Sequence, residues 1–178
     1  MRYLILSDTH ANWYALEAVL ADAEGKYDQA VCCGDLVGYN PAPAAVIEWT
    51  RKNCTAVVRG NHDKVVSGID NLEWFNDVAK AAALWTMTQL SNEQLDYLRG
   101  LPTGPSKLEH FHIWHGSPRD EDEYINAPRE ALPACEYLEI PLGFFGHTHV
   151  QGIFFSKHRR LGALPSVRRS ETEFTLEL

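Results

Sequence analysis

Five short polar clusters punctuate this chain, and each follows an apolar run: Asp8-Thr9-His10, Gly34-Asp35, Gly60-Asn61-His62-Asp63, His115-Gly116 and Gly146-His147-Thr148-His149. The runs, from Arg2-Tyr3-Leu4-Ile5-Leu6-Ser7 to Leu142-Gly143-Phe144-Phe145, read as strands. Residues two apart on a strand share a face, so Asp8 and His10 point one way, as do His147 and His149. Open α/β sheets gather ligands beyond the carboxyl ends of their strands. Five polar strand ends therefore call for one crevice, reached by strands that run largely parallel as neighbours. Helical periods over Trp13 to about Glu24 and over Pro41 to Lys52 separate the first three runs, which predicts a right-handed βαβαβ start.

The clusters hold three carboxylates (Asp8, Asp35, Asp63), one amide (Asn61) and five imidazoles (His10, His62, His115, His147, His149). Such a set can hold two divalent metals side by side, and a two-metal site activates water against phosphorus. A mixed His/Asp/Asn set favours manganese, iron, zinc or nickel over calcium. The four cysteines stand outside the clusters, so a thiolate zinc site is not indicated. Each cluster alone has a bland reading: Asp8 to His10 as a helix cap, Gly34-Asp35 as a turn, His115 as a core histidine. Their joint order decides for a metal site.

The order Asp-x-His, Gly-Asp-x-x-Gly, Gly-Asn-His-Asp, His-Gly and Gly-His-Thr-His resembles the calcineurin-like metallophosphoesterase superfamily. Ser7-Asp8-Thr9-His10-Ala11-Asn12, Gly34-Asp35-Leu36-Val37-Gly38-Tyr39-Asn40-Pro41 and Val58-Arg59-Gly60-Asn61-His62-Asp63 resemble its small prokaryotic phosphodiesterase branch. The resemblance runs to about His149. It implies an α/β fold, a four-layer αββα sandwich with two mixed β-sheets, in one domain over residues 1–178. It also implies a binuclear metal-dependent phosphoric ester hydrolase. One metal would be held by Asp8, His10, Asp35 and His149, the second by Asp35, Asn61, His115 and His147, with Asp35 bridging. A metal-bridging hydroxide would attack a small phosphodiester. His62 would donate a proton to the leaving group, and Asp63 would orient and charge His62 through a hydrogen bond. Manganese is the first expectation for the two ions, with iron, zinc or nickel as alternatives. Hydrolysis of a dinucleoside polyphosphate of the diadenosine tetraphosphate type is the alternative activity. A non-catalytic metal-binding scaffold ranks behind both, because no ligand is missing.

One departure stands out. The Asn-Pro-Gly-Ser turn usual after the last histidine cluster does not appear, and Glu173 to Leu178 reads as a strand. The C-terminal part of the second sheet is therefore open to being incomplete, with an edge through which copies could associate.

Three residues are candidates for substrate contact: Asn12, which could instead cap the first helix, Arg59, which could instead form an ion pair, and Tyr39 on the loop after Asp35. His110 and His112 read as strand-surface residues. Ser67 to about Leu101 reads as a helical insertion (about 67–101) whose aromatics, Trp74-Phe75 and Trp85, are expected to be core. The acidic stretch between Pro118 and Pro128 reads as a flap beside His115. His158-Arg159-Arg160 and Arg168-Arg169 read as solvated turns. A net charge of −8 argues against a nucleic-acid surface and leaves a small phosphorylated substrate as the expected partner. Adjacent Cys32-Cys33 read as buried free thiols, which suits a reducing cytosol. No secretory signal or run of about 20 apolar residues is visible, so a cytoplasmic protein without membrane contact is expected.

Overall fold

The computed structural model of the chain describes residues 1–157 and 160–165. The chain begins as the periodicity predicts: β1 (Tyr3–Leu6), α1 (Trp13–Ala23), β2 (Gln29–Cys32), α2 (Pro43–Asn53) and β3 (Cys54–Val57). The three strands pair in parallel in the order β1-β2-β3, with a register shift between Ala30 and Val31. Four helices follow: α3 (Asn61–Val66), α4 (Asp77–Gln89), α5 (Asn92–Arg99) and, later in the chain, α6 (Pro128–Cys135). A second sheet holds β4 (Ser106–Lys107), β5 (His112–Ile113) and β6 (Gly143–Phe144), antiparallel at β4-β5 and parallel at β5-β6. The antiparallel hairpin β7 (Gly152–Lys157) and β8 (Arg160–Pro165) completes the described chain. This is an α/β fold with mixed strand directions. The strand ends belong to two sheets, not to one row of parallel neighbours.

Alternation along the first sheet explains how it can be covered on both faces. Leu6, Cys32 and Val57 join Leu16, Val46, Ile47, Val65 and Leu98 in a core under the helices. Tyr3, Ile5, Val31, Cys33 and Val58 face the other way and meet Phe111, Ile113 and Phe144 of the second sheet. Aromatic edges fill that inter-sheet layer, with Phe111 packed edge-on to Tyr3 at 4.9 Å and to Phe144 at 5.2 Å. Beyond it, Phe145 and Phe154 pack with Ile125, Ala131 and Ala134 around α6. Cys32 and Cys33 are buried and free, as expected, and are pinned between the two cores.

The region from Ser67 departs from expectation. The α4 helix starts at Asp77, capped by Asn76, whose side chain accepts from the Ala79 N–H at 2.9 Å. Its buried face is Ala79, Ala83 and Thr86, while Trp74 is 90% and Trp85 42% exposed. These two tryptophans are therefore not core; small residues let α4 lie close to its neighbours instead. Only Phe75 turns inward, packing against the ring of His62 at 4.5 Å. His112 is also corrected: it is 3% exposed inside β5, whereas His110 lies in the exposed bend before it. The expected strand over 173–178, the sheet edge it would leave and the basic pairs at 158–159 and 168–169 lie outside the described residues. Among the described residues no helix is long and apolar enough to cross a membrane.

Gly34 illustrates how tightly the strand ends are set. Its φ is +94°, and a Cβ there would sit 2.7 Å from the Gly60 backbone nitrogen. Gly25, after α1, has φ +70° and open space around it. Both substitutions to alanine strain the backbone, by roughly 1 kcal/mol or more. Gly34→Ala must also push two loops apart, so urea denaturation should show it at least about 1 kcal/mol more destabilising than Gly25→Ala.

Candidate metal centre

The first three clusters are laced together by backbone hydrogen bonds before any side chain is considered. The N–H groups of Asp8, His10 and Ala11 donate to the carbonyls of Gly34, Asp35 and Leu36 at 3.0, 2.9 and 2.8 Å. The loop after β1 thus continues the sheet against the loop after β2, in a tightly curled form. The second sheet is tied in at its own strand ends. The His147 N–H donates to the Asp8 carboxylate at 3.0 Å, and Gly146 donates to the carbonyl of His115. A side chain at Gly146 would collide with Ser7 and Asp8, so glycine is what allows the two sheets to touch here.

The backbone pays conformationally for this convergence. Among the described residues, seven non-glycine residues have positive φ: Asp8, His10, Ala11, Asp35, Tyr39, His147 and His149. All seven lie on the loops that carry the clusters, and five are themselves proposed donors. Such residues each cost on the order of 1–3 kcal/mol and persist where surrounding structure over-determines them, commonly at functional sites.

The side chains then meet in two groups that share Asp35: Asp8, His10, Asp35 and His149, and Asp35, His115 and His147. Asp35 Oδ1 accepts from the His62 N–H at 2.9 Å. Its Oδ2 lies 3.5 Å from His10 Nε2 and 3.4 Å from His115 Nε2. His149 Nε2 is 3.0 Å from His10 Nε2 and 3.4 Å from Asp8 Oδ1. Asn61 Oδ1 stands 3.1 Å from both His115 Nε2 and His147 Nδ1, which brings the amide into the second group. Ligands about 2.1 Å from a tetrahedral or octahedral ion are spaced roughly 3.0–3.4 Å apart, so both groups fit a divalent cation.

The rings are oriented for that task by groups behind them. A carbonyl can only accept, so His10 Nδ1 donates to Val37 at 2.9 Å and its Nε2 offers a lone pair. His115 is held in the same way by the carbonyl of Cys33 at 2.8 Å. His147 is reversed: Nε2 faces the carbonyl of Asp122 at 3.2 Å, leaving Nδ1 inward. Burial works against the charge of Asp35, yet His115, His10 and His62 around it hold its carboxyl well below the usual range. Burial lowers the basicity of His115, but the Asp35 charge outweighs it and lifts the ring to about 9. The field that favours a proton on that ring is one that also attracts a metal cation.

His62, Asp63 and Arg59 need correction. Asp63 does not bond to His62. Its Oδ1 accepts from Leu36 and Val37 N–H at 2.9 and 3.2 Å, and its Oδ2 accepts from Gly60 N–H at 3.0 Å. This fully buried carboxylate joins two loops instead of orienting a ring. His62 Nδ1 has no hydrogen-bond partner among the described residues, and burial lowers the ring to about 4. The imidazolium expected from an Asp63 contact is therefore not favoured. Arg59 is held by Glu121 in a two-point pair at 3.1 and 2.9 Å, almost out of solvent. Glu121 lies in the acidic loop, and its role was not readable because 62 residues separate the partners.

That loop is tied across the second group. Lys64 contacts Asp122 at 2.5 Å, Asp70 at 2.9 Å and Glu121 at 3.6 Å. Tyr124 packs on His147 with centroids 3.8 Å apart. Of the remaining candidates, Asn12 caps α1 by accepting from Ala15 N–H at 3.1 Å and also lines a cavity with Asp8, Thr9, His10, Tyr39 and His149. Tyr39 lines this cavity and a second one over Asp35 and Asn61.

Two substitutions check these assignments. Asp63→Ala leaves three buried N–H groups without an acceptor and should lower unfolding free energy by roughly 3 kcal/mol or more in urea titration. A residue that only oriented His62 would leave the midpoint unchanged. Lys64→Met should release Asp122 from His147 and weaken binding of one of two cations by roughly 10–100-fold in calorimetry, sparing the other.

Comparison with known proteins identifies the family. The model of the calcineurin-like phosphoesterase family matches residues 1–151. An uncharacterized protein of Methanocaldococcus jannaschii is 42% identical over 153 residues, 82% of this chain and 61% of its own. The crystal structure of a metallophosphoesterase from Sphaerobacter thermophilus is similar at 43% identity and a TM-score of 0.76, covering 88% of this chain and 63% of that one. A putative diadenosine tetraphosphatase aligns at 23% identity with a TM-score of 0.49, over 65% of this chain and 50% of its own. The chain thus spans about three fifths of the length of the first two relatives. By the family match over most of its length, with all five clusters inside it, this chain belongs to the calcineurin-like phosphoesterases.

Proposed function

We propose that the chain is a binuclear-metal phosphoesterase that hydrolyses a small phosphodiester. The observation that carries the reading is the Asp35 carboxylate, whose Oδ2 lies within 3.5 Å of ring nitrogens from both donor groups. Asp8, His10, Asp35 and His149 would hold one cation, and Asp35, Asn61, His115 and His147 the other. When bound, two divalent cations supply Lewis acidity toward phosphoryl oxygens and lower the pKa of water toward neutrality.

The protein groups do the positioning. Val37 and Cys33 carbonyls fix the tautomers of His10 and His115, and the His62 N–H fixes the Asp35 carboxylate. These contacts set donor lone pairs in place before substrate arrives, so little reorganisation remains at reaction. His62 borders the inner cavity beside Asp35, Asn61 and His147 as a largely buried ring, packed between His10 and Phe75. Asn12 and Tyr39 are the protein's other contacts to substrate in this reading. Arg59 acts through the acidic loop, since Glu121 occupies its guanidinium.

Nitrogen, carboxylate and amide donors together suit manganese first, with iron, zinc or nickel as alternatives. Four free cysteines suit a reducing compartment, and we place the chain in the cytoplasm on that basis. The test is turnover of bis(4-nitrophenyl) phosphate by purified protein supplied with Mn²⁺. Asp35→Asn and His147→Ala should each lower kcat/KM by at least about 10³-fold, the scale expected when groups stabilising developing charge are removed. Undiminished hydrolysis in either variant would defeat the two-cation reading. Folded protein that binds Mn²⁺ yet turns over no phosphoester would favour a metal-binding scaffold.

A further inference from the structure

Tyr39 stands where two cavities meet. The inner cavity, of about 200 Å³, is bordered by Asp35, Asn61, His62 and His147, with Tyr39 and Tyr124 among its walls. The outer, of about 390 Å³, is bordered by Asp8, Thr9, His10, Asn12, Asn40 and His149, again with Tyr39. The Tyr39 ring lies 4.8 Å from His10 and 4.6 Å from His62, yet the residue remains 42% exposed. Its backbone has φ +62°, a conformation that glycine or asparagine adopts at far less cost. A bulky ring held there against its backbone preference is an outlier that asks for a use.

The chemistry of the walls says what that use is. Asn12 Oδ1 is taken by the Ala15 N–H, so its amide N–H groups are the part left to donate. Thr9 and Asn40 add neutral polar atoms. Among the described residues neither cavity is bordered by lysine or arginine. The nearby cations Arg59 and Lys64 are committed to Glu121, Asp122 and Asp70. Beyond the donors Asp8, His10 and His149, the rim formed by Thr9, Asn12, Tyr39 and Asn40 therefore suits a neutral group with a flat face and hydrogen-bond acceptors.

We infer that Tyr39 is the specificity-determining residue of this site, selecting phosphoesters that carry one flat, uncharged heterocyclic group, of the nucleoside class, over simple alkyl esters. The phosphoryl group lies in the inner cavity and the heterocycle stacks on Tyr39 in the outer one. This rests on the phosphoesterase reading above.

The test is calorimetric binding of adenosine 5′-monophosphate and methyl phosphate to the Mn²⁺-loaded protein. Wild type should bind adenosine 5′-monophosphate roughly 5–100-fold more tightly than methyl phosphate, the range expected for stacking of one base on an aromatic ring. Tyr39→Asn suits the positive φ while removing the ring, and should erase the preference. Tyr39→Phe keeps the ring and should preserve it. Circular dichroism melting of both variants checks that they fold. Equal binding of adenosine 5′-monophosphate and methyl phosphate by wild type, or an equal loss of both in Tyr39→Asn, overturns the inference while leaving the phosphoesterase reading intact. Binding of neither by wild type with Mn²⁺ bound overturns both readings.

Discussion

The rest of the structure depends on one buried carboxylate. Asp35 is 1% exposed, and a carboxylate taken that far from water is costly unless it is surrounded by partners. Those partners come from three separate segments: the His62 N–H, the ring of His115, and the loop before α1, which supplies both the ring of His10 and N–H groups that pair with the backbone at Asp35. Meeting that requirement brings the ends of β1, β2, β3 and β5 to one point. A divalent cation on either side of Asp35 would complete the compensation. The same carboxylate is thus the main electrostatic liability of the fold and the reason a metal site is proposed there.

Geometry explains why the liability can be met only where two sheets abut. A single parallel sheet can bring neighbouring strand ends together along one edge. Here the donors wrap around Asp35 from both sides, so a second sheet must close over the first. Gly146 permits that closure because any side chain would strike Ser7 and Asp8. Asp63 then locks the loops after β2 and β3 by gathering three N–H groups. The strained φ values on the cluster loops are the complement of this rigidity. Strain survives where neighbouring hydrogen bonds over-determine the backbone, and the dense inter-loop bonding supplies that condition.

Much of this could be read before any coordinates. Polar clusters at strand ends foretold both the α/β start and the gathering of Asp8, His10, Asp35, Asn61, His115, His147 and His149, because strand periodicity and cluster order are local properties of the chain. The failures concern partners that periodicity cannot assign. Asp63 follows His62 in sequence, yet a helix turn sends its side chain back to the N–H groups of a distant loop. Arg59 was open to either phosphate contact or an ion pair, and its actual partner, Glu121, lies 62 residues away. His112 was placed outward because alternation cannot tell which of a strand's two faces a second sheet covers. Trp74 and Trp85 were placed inward on apolarity alone, whereas close helix packing selected the small residues Ala79 and Ala83.

The acidic loop then acquires a physical explanation. Carboxylates at 120–123 beside a site for anions would repel substrate and compete for the cations. Arg59 and Lys64 prevent both by holding Glu121 and Asp122 away from the donors in partly buried pairs, where the charges are screened less by salt than on an open surface. With its acids neutralised in this way, the loop can offer uncharged groups to the site: a carbonyl that orients His147 and the ring of Tyr124 against it. Basic residues near a phosphoryl site are easily read as phosphate ligands. In this chain they make the surrounding charge balance, and in the proposed two-cation site the ions around Asp35 would be left as the positive charge that a phosphoester meets.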